Sequence, residues 1–305
     1  MSGFLQDKVV AITGAGRGIG RAVALACAAE GATVLVNDYG VGIDGGDPSS
    51  AVADAVAQEI EAAGGTAVAI ADDISTMAGG ERLVATAVER LGRIDGVVTV
   101  AGILRERMLF NMTEDEWDGV IDTHLKGTFT VFRAAAAVMR KQESGGSLVA
   151  FTSGVGMWGS VSQANYAAAK GGVVALVRSA ALGLGKYGVT ANAIAPVAST
   201  RMQANVPGGT AETGDPEDVA PMVVYLLSDA ARDVTGQTYT VVGGRVALWA
   251  QPREVREIAK DGRWTPQELA ARLPGEVGTD RLPMLDYIDM MKARAAQAES
   301  ASAAT

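Results

Sequence analysis

Short β-branched runs alternate with helical patterns along most of this chain, and the first run opens directly into a glycine cluster. Residues 8–13 (KVVAIT) read as a buried strand, and 19–30 as a helix closed by Gly31. Strand 33–37 (TVLVN) and helix 51–63 follow, the latter closed by Gly64-Gly65. Strand 66–71, helix 80–91 and strand 96–100 come next, then a long helix over 114–140 and strand 147–152. A helix at 162–186, a strand at 190–194, a helix at 216–228 and a strand at 237–242 complete the alternation. Strands that are apolar nearly throughout must be covered on both faces, which is the condition of a parallel sheet. Right-handed crossovers then wind the chain outward in both directions, so the expected fold class is α/β, a doubly wound parallel sheet with helices on both faces.

Two segments break the rhythm. Residues 40–50 (GVGIDGGDPSS) form a glycine-rich insertion after the second strand. From about Leu248 the chain becomes charged, and Thr265-Pro266-Gln267-Glu268 reads as a capping box that starts a helix, which Pro274-Gly275 is expected to stop. The expected organisation is one domain over 1–247 and a C-terminal helical extension over 248–305.

Composition removes several classes. The chain has 305 residues, 48% of them apolar, enough for a sizeable core. A net charge of −9 with no basic stripe argues against nucleic acid as a partner. No apolar run looks long enough to span a bilayer, and the start MSGFLQDKVV lacks a secretory pattern, so no membrane is expected and the location read is cytoplasmic. Cys27 is the single cysteine and sits in an apolar helical pattern, so it reads as a core residue. One histidine and one cysteine leave no zinc set, and no metal is expected.

The glycine cluster is Thr13-Gly14-Ala15-Gly16-Arg17-Gly18-Ile19-Gly20, the pattern T-G-x-x-x-G-x-G placed between a strand and a helix. Gly14 permits the tight turn off the strand. Gly18, Ile19 and Gly20 bring backbone N–H groups of the helix start to an anion, and Arg17 lies in the same loop, so this is the expected pyrophosphate cradle of a dinucleotide. Asp38 closes the second strand 18 residues after Gly20. A carboxylate there accepts both hydroxyls of an adenosine ribose and repels a 2′-phosphate, so NAD is expected and NADP is disfavoured. Asp73, after the third strand, is placed to reach the adenine edge.

Tyr166 and Lys170 are spaced i, i+4 and so share one helix face. A phenol of ordinary pKa is a poor base at neutral pH, and a neighbouring ammonium is expected to lower it. Tyrosine then exchanges a proton with an alcohol or carbonyl while hydride moves, and Lys170 also reaches the ribose hydroxyls of the nicotinamide half. Ser153 stands 13 residues before Tyr166, at the carboxyl end of a strand, where it can hold the substrate oxygen.

The order T-G-x-x-x-G-x-G, serine, Y-x-x-x-K resembles the short-chain dehydrogenase/reductase superfamily over residues 6–245. The resemblance implies a Rossmann-type fold, a nicotinamide cofactor, carbonyl–alcohol interconversion, and homodimers or homotetramers. Val36-Asn37-Asp38 with its glycine-rich insertion is similar to the (3R)-hydroxyacyl-CoA dehydrogenase domain of peroxisomal multifunctional enzymes. So are His124-Leu125-Lys126-Gly127, Gln163-Ala164-Asn165-Tyr166, and 192–196 (NAIAP) running into Thr200-Arg201-Met202. That branch implies an acyl-CoA or steroid alcohol as substrate. It also places Ala101, Gly102 and Pro196 at the cofactor, and Ser199 or Thr200 at its carboxamide. The family's N-N-A-G is here Thr99-Val100-Ala101-Gly102, so two bracing asparagines are missing. His124 stands where many relatives have asparagine, either relaying protons or filling space. Two other readings compete: an NADPH-dependent 3-oxoacyl reductase, which Asp38 opposes, and a non-catalytic nucleotide-binding subunit, which Ser153, Tyr166 and Lys170 oppose.

Overall fold

A computed structural model describes residues 3–41, 48–198, 214–278, 280–282, 284–286, 288–290 and 292–293. The chain divides into two compact units, Met1–Trp249 and Ala250–Thr305.

The first unit carries an eight-stranded sheet in the order β3-β2-β1-β4-β5-β6-β7-β8. Its strands are β1 (Val9–Thr13), β2 (Thr33–Asn37), β3 (Thr66–Ile70), β4 (Gly96–Thr99), β5 (Gly146–Phe151), β6 (Val189–Pro196), β7 (Thr238–Val242) and β8 (Arg245–Leu248). β1 to β7 run parallel, as the buried apolar strands require, and β8 pairs antiparallel with β7 (Val242↔Arg245). The last strand was not expected. It has four residues, is mostly exposed, and lies in what the sequence reads as the approach to the extension.

Alternation along the strands feeds two cores. Val10, Ile12, Val34, Val36, Val98 and Ile194 face one side. There they meet Val23 and Cys27 of α1 (Gly18–Ala29), Val56 and Ile60 of α2 (Ala51–Ala62), and Val219 and Val223 of α8 (Pro216–Leu227). Val9, Ala11, Leu35, Val97 and Leu148 face the other. Their partners are Leu83 and Val84 of α3 (Met77–Leu91), Val131 and Met139 of α5 (Gly127–Met139), and Val173 and Val177 of α7 (Ala164–Leu184). Cys27 is fully buried, and burial pushes its thiol up to about 12, so it packs as an apolar residue.

The long helix expected over 114–140 is two helices, α4 (Glu114–Ile121) and α5, joined by a π-helical turn at Asp122–Lys126. A wide turn inside a helix shifts the facing of every residue after it, and such turns concentrate at functional sites. Thr113 and Glu116 form the capping box that starts α4. The expectation that no segment is long and apolar enough to cross a bilayer is corrected. The helix over Ala164–Tyr187 meets that test by length and composition. Its buried residues include Lys170, and its apolar face packs in the second core, so it serves as a domain helix.

In the second unit the capping box at Thr265 forms and starts α9 (Pro266–Glu276). The helix runs through Pro274, which was expected to stop it, and ends at Glu276. The Trp264 ring is flanked by Lys260 Nζ at 5.2 Å and Arg272 Cζ at 5.1 Å.

Candidate active site

β1 and β4 are neighbours, yet their chain connections leave in opposite directions. This switch point opens a crevice at the carboxyl ends of the strands, where ligands settle in doubly wound sheets. A cavity of about 460 Å³ lies there. Gly14, Arg17, Gly18, Ile19, Gly20, Asp38, Asp73, Ala101, Gly102, His124, Tyr166, Lys170 and Pro196 all line it. Ser199, Thr200, Arg201 and Met202 lie outside the described residues, as does most of the 40–50 insertion.

The glycine loop has the shape expected of it. Gly14 has φ +65°, and a Cβ there would stand 2.7 Å from the Ala101 backbone, so the end of β4 closes directly over the turn. α1 starts with no side-chain cap and no acidic residue in its first turn. Its leading N–H groups at Gly18, Ile19 and Gly20 therefore keep their capacity, and their partial positive charge, for an anion in the cavity. The residues thus fit the pyrophosphate of a dinucleotide.

Asp38 closes β2 and joins two loops. Its Oδ2 accepts from Gly16 N at 2.9 Å and its Oδ1 from Gly40 N at 2.7 Å. Each oxygen retains a second lone pair, so the carboxylate keeps capacity for ribose hydroxyls. Arg17 donates from Nη1 to the Val41 carbonyl at 3.2 Å. Asp73 accepts from Ser75 N at 2.9 Å through Oδ1, which shapes the turn after β3. Asn37 Nδ2, donating to Asp72 O at 3.1 Å, ties β2 to the same turn.

The missing asparagines have replacements. Ala101 N donates to Thr13 Oγ1 at 3.4 Å and Val100 N to Thr13 O at 3.3 Å, which holds the end of β4 to β1. The Thr99 and Thr128 hydroxyls lie 3.3 Å apart, and Thr128 donates to the His124 carbonyl at 2.7 Å.

Ser153, Tyr166 and Lys170 come together as expected. Thr152 donates through Oγ1 to the Lys170 carbonyl at 2.8 Å, which docks the end of β5 on α7. The Ser153 hydroxyl bonds the Tyr166 phenol and accepts from Val155 N at 3.2 Å. Lys170 Nζ donates to Phe151 O at 2.6 Å and lies 5.6 Å from the centre of the Tyr166 ring. The electrostatics differ from expectation. Lys170 does not depress the Tyr166 pKa in this structure. Burial pushes the phenol up to about 12, countered only by the Ser153 hydrogen bond. Burial also pushes Lys170 down to about 7, so its positive charge is only partly present at neutral pH.

His124 sits in the π-helical turn with 2% of its surface exposed. Its Nε2 lies 2.8 Å from the Ile103 carbonyl and 3.2 Å from Ile103 N, and Nδ1 has no hydrogen-bond partner. The ring stands edge-on to Tyr166, centroids 5.1 Å apart. Burial, then the nearby Lys170, hold its pKa far below the usual value, so the imidazole is neutral.

Several contributors were not read from sequence. Asn165 Nδ2 donates to Arg105 O at 2.9 Å and Glu116 O at 2.8 Å, which clamps the loop after β4 and the start of α4 to the turn carrying Tyr166. Its place in Gln163-Ala164-Asn165-Tyr166 was the available signal. Tyr39, Ile74 and Thr152 line the cavity and carried none. Arg105 and Arg107, in the loop after β4, pair with Asp115 at 2.6 Å and Glu116 at 2.8 Å.

A model of the short chain dehydrogenase family matches residues 8–209. The chain is 46% identical over 284 residues to hydroxyacyl-CoA dehydrogenase ChsB1 of Mycobacterium tuberculosis, covering 88% of both chains. It is 43% identical over 256 residues to peroxisomal multifunctional enzyme type 2 of Mus musculus, covering 84% of this chain and 34% of that longer protein. A crystal structure of a short chain dehydrogenase from Mycobacterium avium superposes with TM-score 0.81 at 44% identity, covering 92% of this chain and 98% of the other.

Proposed function

The chain belongs to the short-chain dehydrogenase family and is an oxidoreductase acting on CH–OH groups, and from that premise we propose that it interconverts a 3-hydroxyacyl-CoA and its ketone with NAD. The observation that carries the reading is the Ser153–Tyr166 hydrogen bond at the rim of a cavity whose other end is Asp38 and the glycine loop. Gly14, Arg17, Gly18, Ile19 and Gly20 would hold the pyrophosphate, Asp38 the adenosine ribose, and Asp73 the adenine edge. Ala101, Gly102, Pro196 and Thr200 would lie along the nicotinamide half, with Lys170 on its ribose. The bound nicotinamide supplies the hydride acceptor or donor.

The protein's own part is proton chemistry and placement. Ser153 holds the substrate oxygen. Tyr166, a neutral phenol at neutral pH, gives its proton to a carbonyl in reduction and must surrender that proton before it can deprotonate an alcohol. Lys170 supports the phenolate by charge whenever it is protonated. His124, neutral and packed against Tyr166, fixes the ring.

NAD rather than NADP is supported by the Asp38 carboxylate, which meets a 2′-phosphate as a like charge. Half-exposed Phe129 and strongly exposed Leu182 support a homodimer or homotetramer. The test is NADH formation from a panel of acyl-CoA and steroid alcohols. Turnover of a 3-hydroxyacyl-CoA is expected, and failure on every secondary alcohol would overturn the proposal.

A further inference from the structure

α7 opens without an ordinary cap. Gln163 stands at its N-cap position and makes no side-chain bond to the first turn. The leading N–H groups of a helix have no partners within it, so each must find one elsewhere. The N–H of Tyr166 is taken by the residue beside it, donating to Asn165 Oδ1 at 2.8 Å. The other end of the same amide donates twice, to the Arg105 carbonyl at 2.9 Å and the Glu116 carbonyl at 2.8 Å. Asn165 is only 1% exposed, so these bonds are made within the protein. Both amide hydrogens and the amide oxygen are committed. A flipped amide would set its oxygen against two carbonyls and its nitrogen against an N–H, so the network admits one orientation.

The loop that Asn165 grips, residues 103–107, is fastened to the same turn in other ways. Arg107 N donates to Ser162 O at 2.8 Å, Arg107 and Gln163 form an isolated bridge, and Gln163 Nε2 donates to the Glu106 carboxylate. Ser162 takes a left-handed backbone, φ +62°, a conformation that persists only where its surroundings over-determine it. Ile103 and Arg105 of this loop line the cavity beside Gly102. The functional face of α7 is thus anchored at both ends. At Lys170 it is held by the Thr152 hydroxyl and by α6 (Val155–Trp158), where a Cβ on Gly156 would stand 2.7 Å from the Lys170 carbonyl carbon. At Tyr166, one turn earlier, the anchor is the Asn165 amide. Asn165 is not among the residues lining the cavity, so its contribution passes through Tyr166 and the loop.

We propose that Asn165 is a positioning residue that sets Tyr166 in register with the cavity-lining loop, so that the acid/base is in place only while residues 103–107 are closed on α7. The inference rests on the reading of Tyr166 as the acid/base. Misplacing a catalytic group by about 1 Å costs about a hundredfold in rate. Asn165→Asp keeps the shape of the side chain and turns its two-donor end into an oxygen that faces two carbonyl oxygens in a buried site. The loop and the turn then part, and Tyr166 moves with the turn.

The test is a kinetic double-mutant cycle on the 3-hydroxyacyl-CoA of the proposed reaction. Asn165→Asp should lower kcat by about tenfold to a hundredfold, with NADH affinity, read by titration, within about twofold of wild type. In a Tyr166→Phe background the same change should cost less than about twofold, because the group it misplaces is already gone. A second readout needs no substrate. In protein labelled with 13C at tyrosine Cζ, the Tyr166 resonance, assigned by its loss in Tyr166→Phe, should shift in Asn165→Asp. If that variant does not fold, Asn165→Ala, which removes the donors without adding a facing oxygen, carries the same measurements. A loss as large in the Tyr166→Phe background as in wild type overturns the positioning role. Wild-type kcat or an unmoved resonance in the Asn165 variant overturns it too. If Tyr166→Phe alone keeps wild-type kcat, the acid/base reading fails and takes this inference with it. If the wild-type protein turns over no alcohol, the resonance decides whether Asn165 places Tyr166.

Discussion

Replacing Gly102 by alanine should misplace the active-site tyrosine through a histidine. A Cβ at Gly102 would stand 2.2 Å from His124 Cε1, 2.9 Å from Nδ1 and 3.0 Å from Nε2. Carbon atoms at rest keep about 3.5–4.0 Å, so the imidazole must retreat by well over an ångström. It has little freedom to do so. Nε2 is tied to the Ile103 carbonyl at 2.8 Å, and the ring edge packs on Tyr166. Overpacking a close-packed site costs about 1–3 kcal/mol, and losing the Ile103 hydrogen bond adds about 0.5–1.5 kcal/mol. The sum is about 1.5–4.5 kcal/mol, roughly 2–7 °C in Tm for a chain of this size. Activity should fall with it, because Tyr166 shifts with the ring against which it packs. The assay pairs denaturant unfolding with kcat at saturating cofactor. Gly102→Ala with His124→Ala should be less destabilised than the two single losses added together, since the deleted ring vacates the colliding volume. Wild-type stability and kcat in Gly102→Ala, or strict additivity in the double variant, would refute the steric coupling of Gly102, His124 and Tyr166.

Other consequences are as direct. Tyr166→Phe removes the transferable proton and keeps the ring, so kcat should drop by about a hundredfold or more while NADH affinity, read by titration, changes little. Lys170→Met should weaken both NADH binding and turnover; unchanged cofactor affinity would confine Lys170 to electrostatics. The same residue sets a pH dependence. Its folded pKa of about 7 lies below the ordinary 10.5, so the unfolded chain binds more protons between those values and stability gained from this group rises with pH across that window. Lys170→Met should remove that rise, as Tm measured at several pH values would show, and a wild-type Tm trend unaltered by the substitution would contradict it. Wild-type kcat/KM should favour NAD over NADP by at least about tenfold, and Asp38→Ser should narrow the gap. Because Asp38 also binds Gly16 N and Gly40 N, that variant should lose some NAD affinity as well; equal wild-type use of both cofactors would remove Asp38 from its assigned place.

Much of this molecule is legible in its sequence because the relevant signals are local. Strand alternation sorts Val10 and Ile12 to one face and Val9 and Ala11 to the other, and a parallel sheet buried on both sides follows from it. The run from Gly14 to Gly20 specifies a turn and an uncapped helix start within eight residues. Tyr166 and Lys170 share a face by helical spacing alone. What the sequence leaves open depends on groups brought together from afar. The break at Asp122–Lys126 has no glycine or proline inside it, and only the packing of His124 against Gly102 and Tyr166 shows why the helix widens there. The pKa of Tyr166 was misjudged for the same reason. Spacing shows that an ammonium is near, whereas the desolvation that outweighs it comes from the whole surrounding fold, which also pushes Lys170 toward neutrality. Trp158 and Trp249 are 91 residues apart in the chain. Their contact exists only because the short helix Val155–Trp158 is seated on α7 and the chain returns along β8 beside β7.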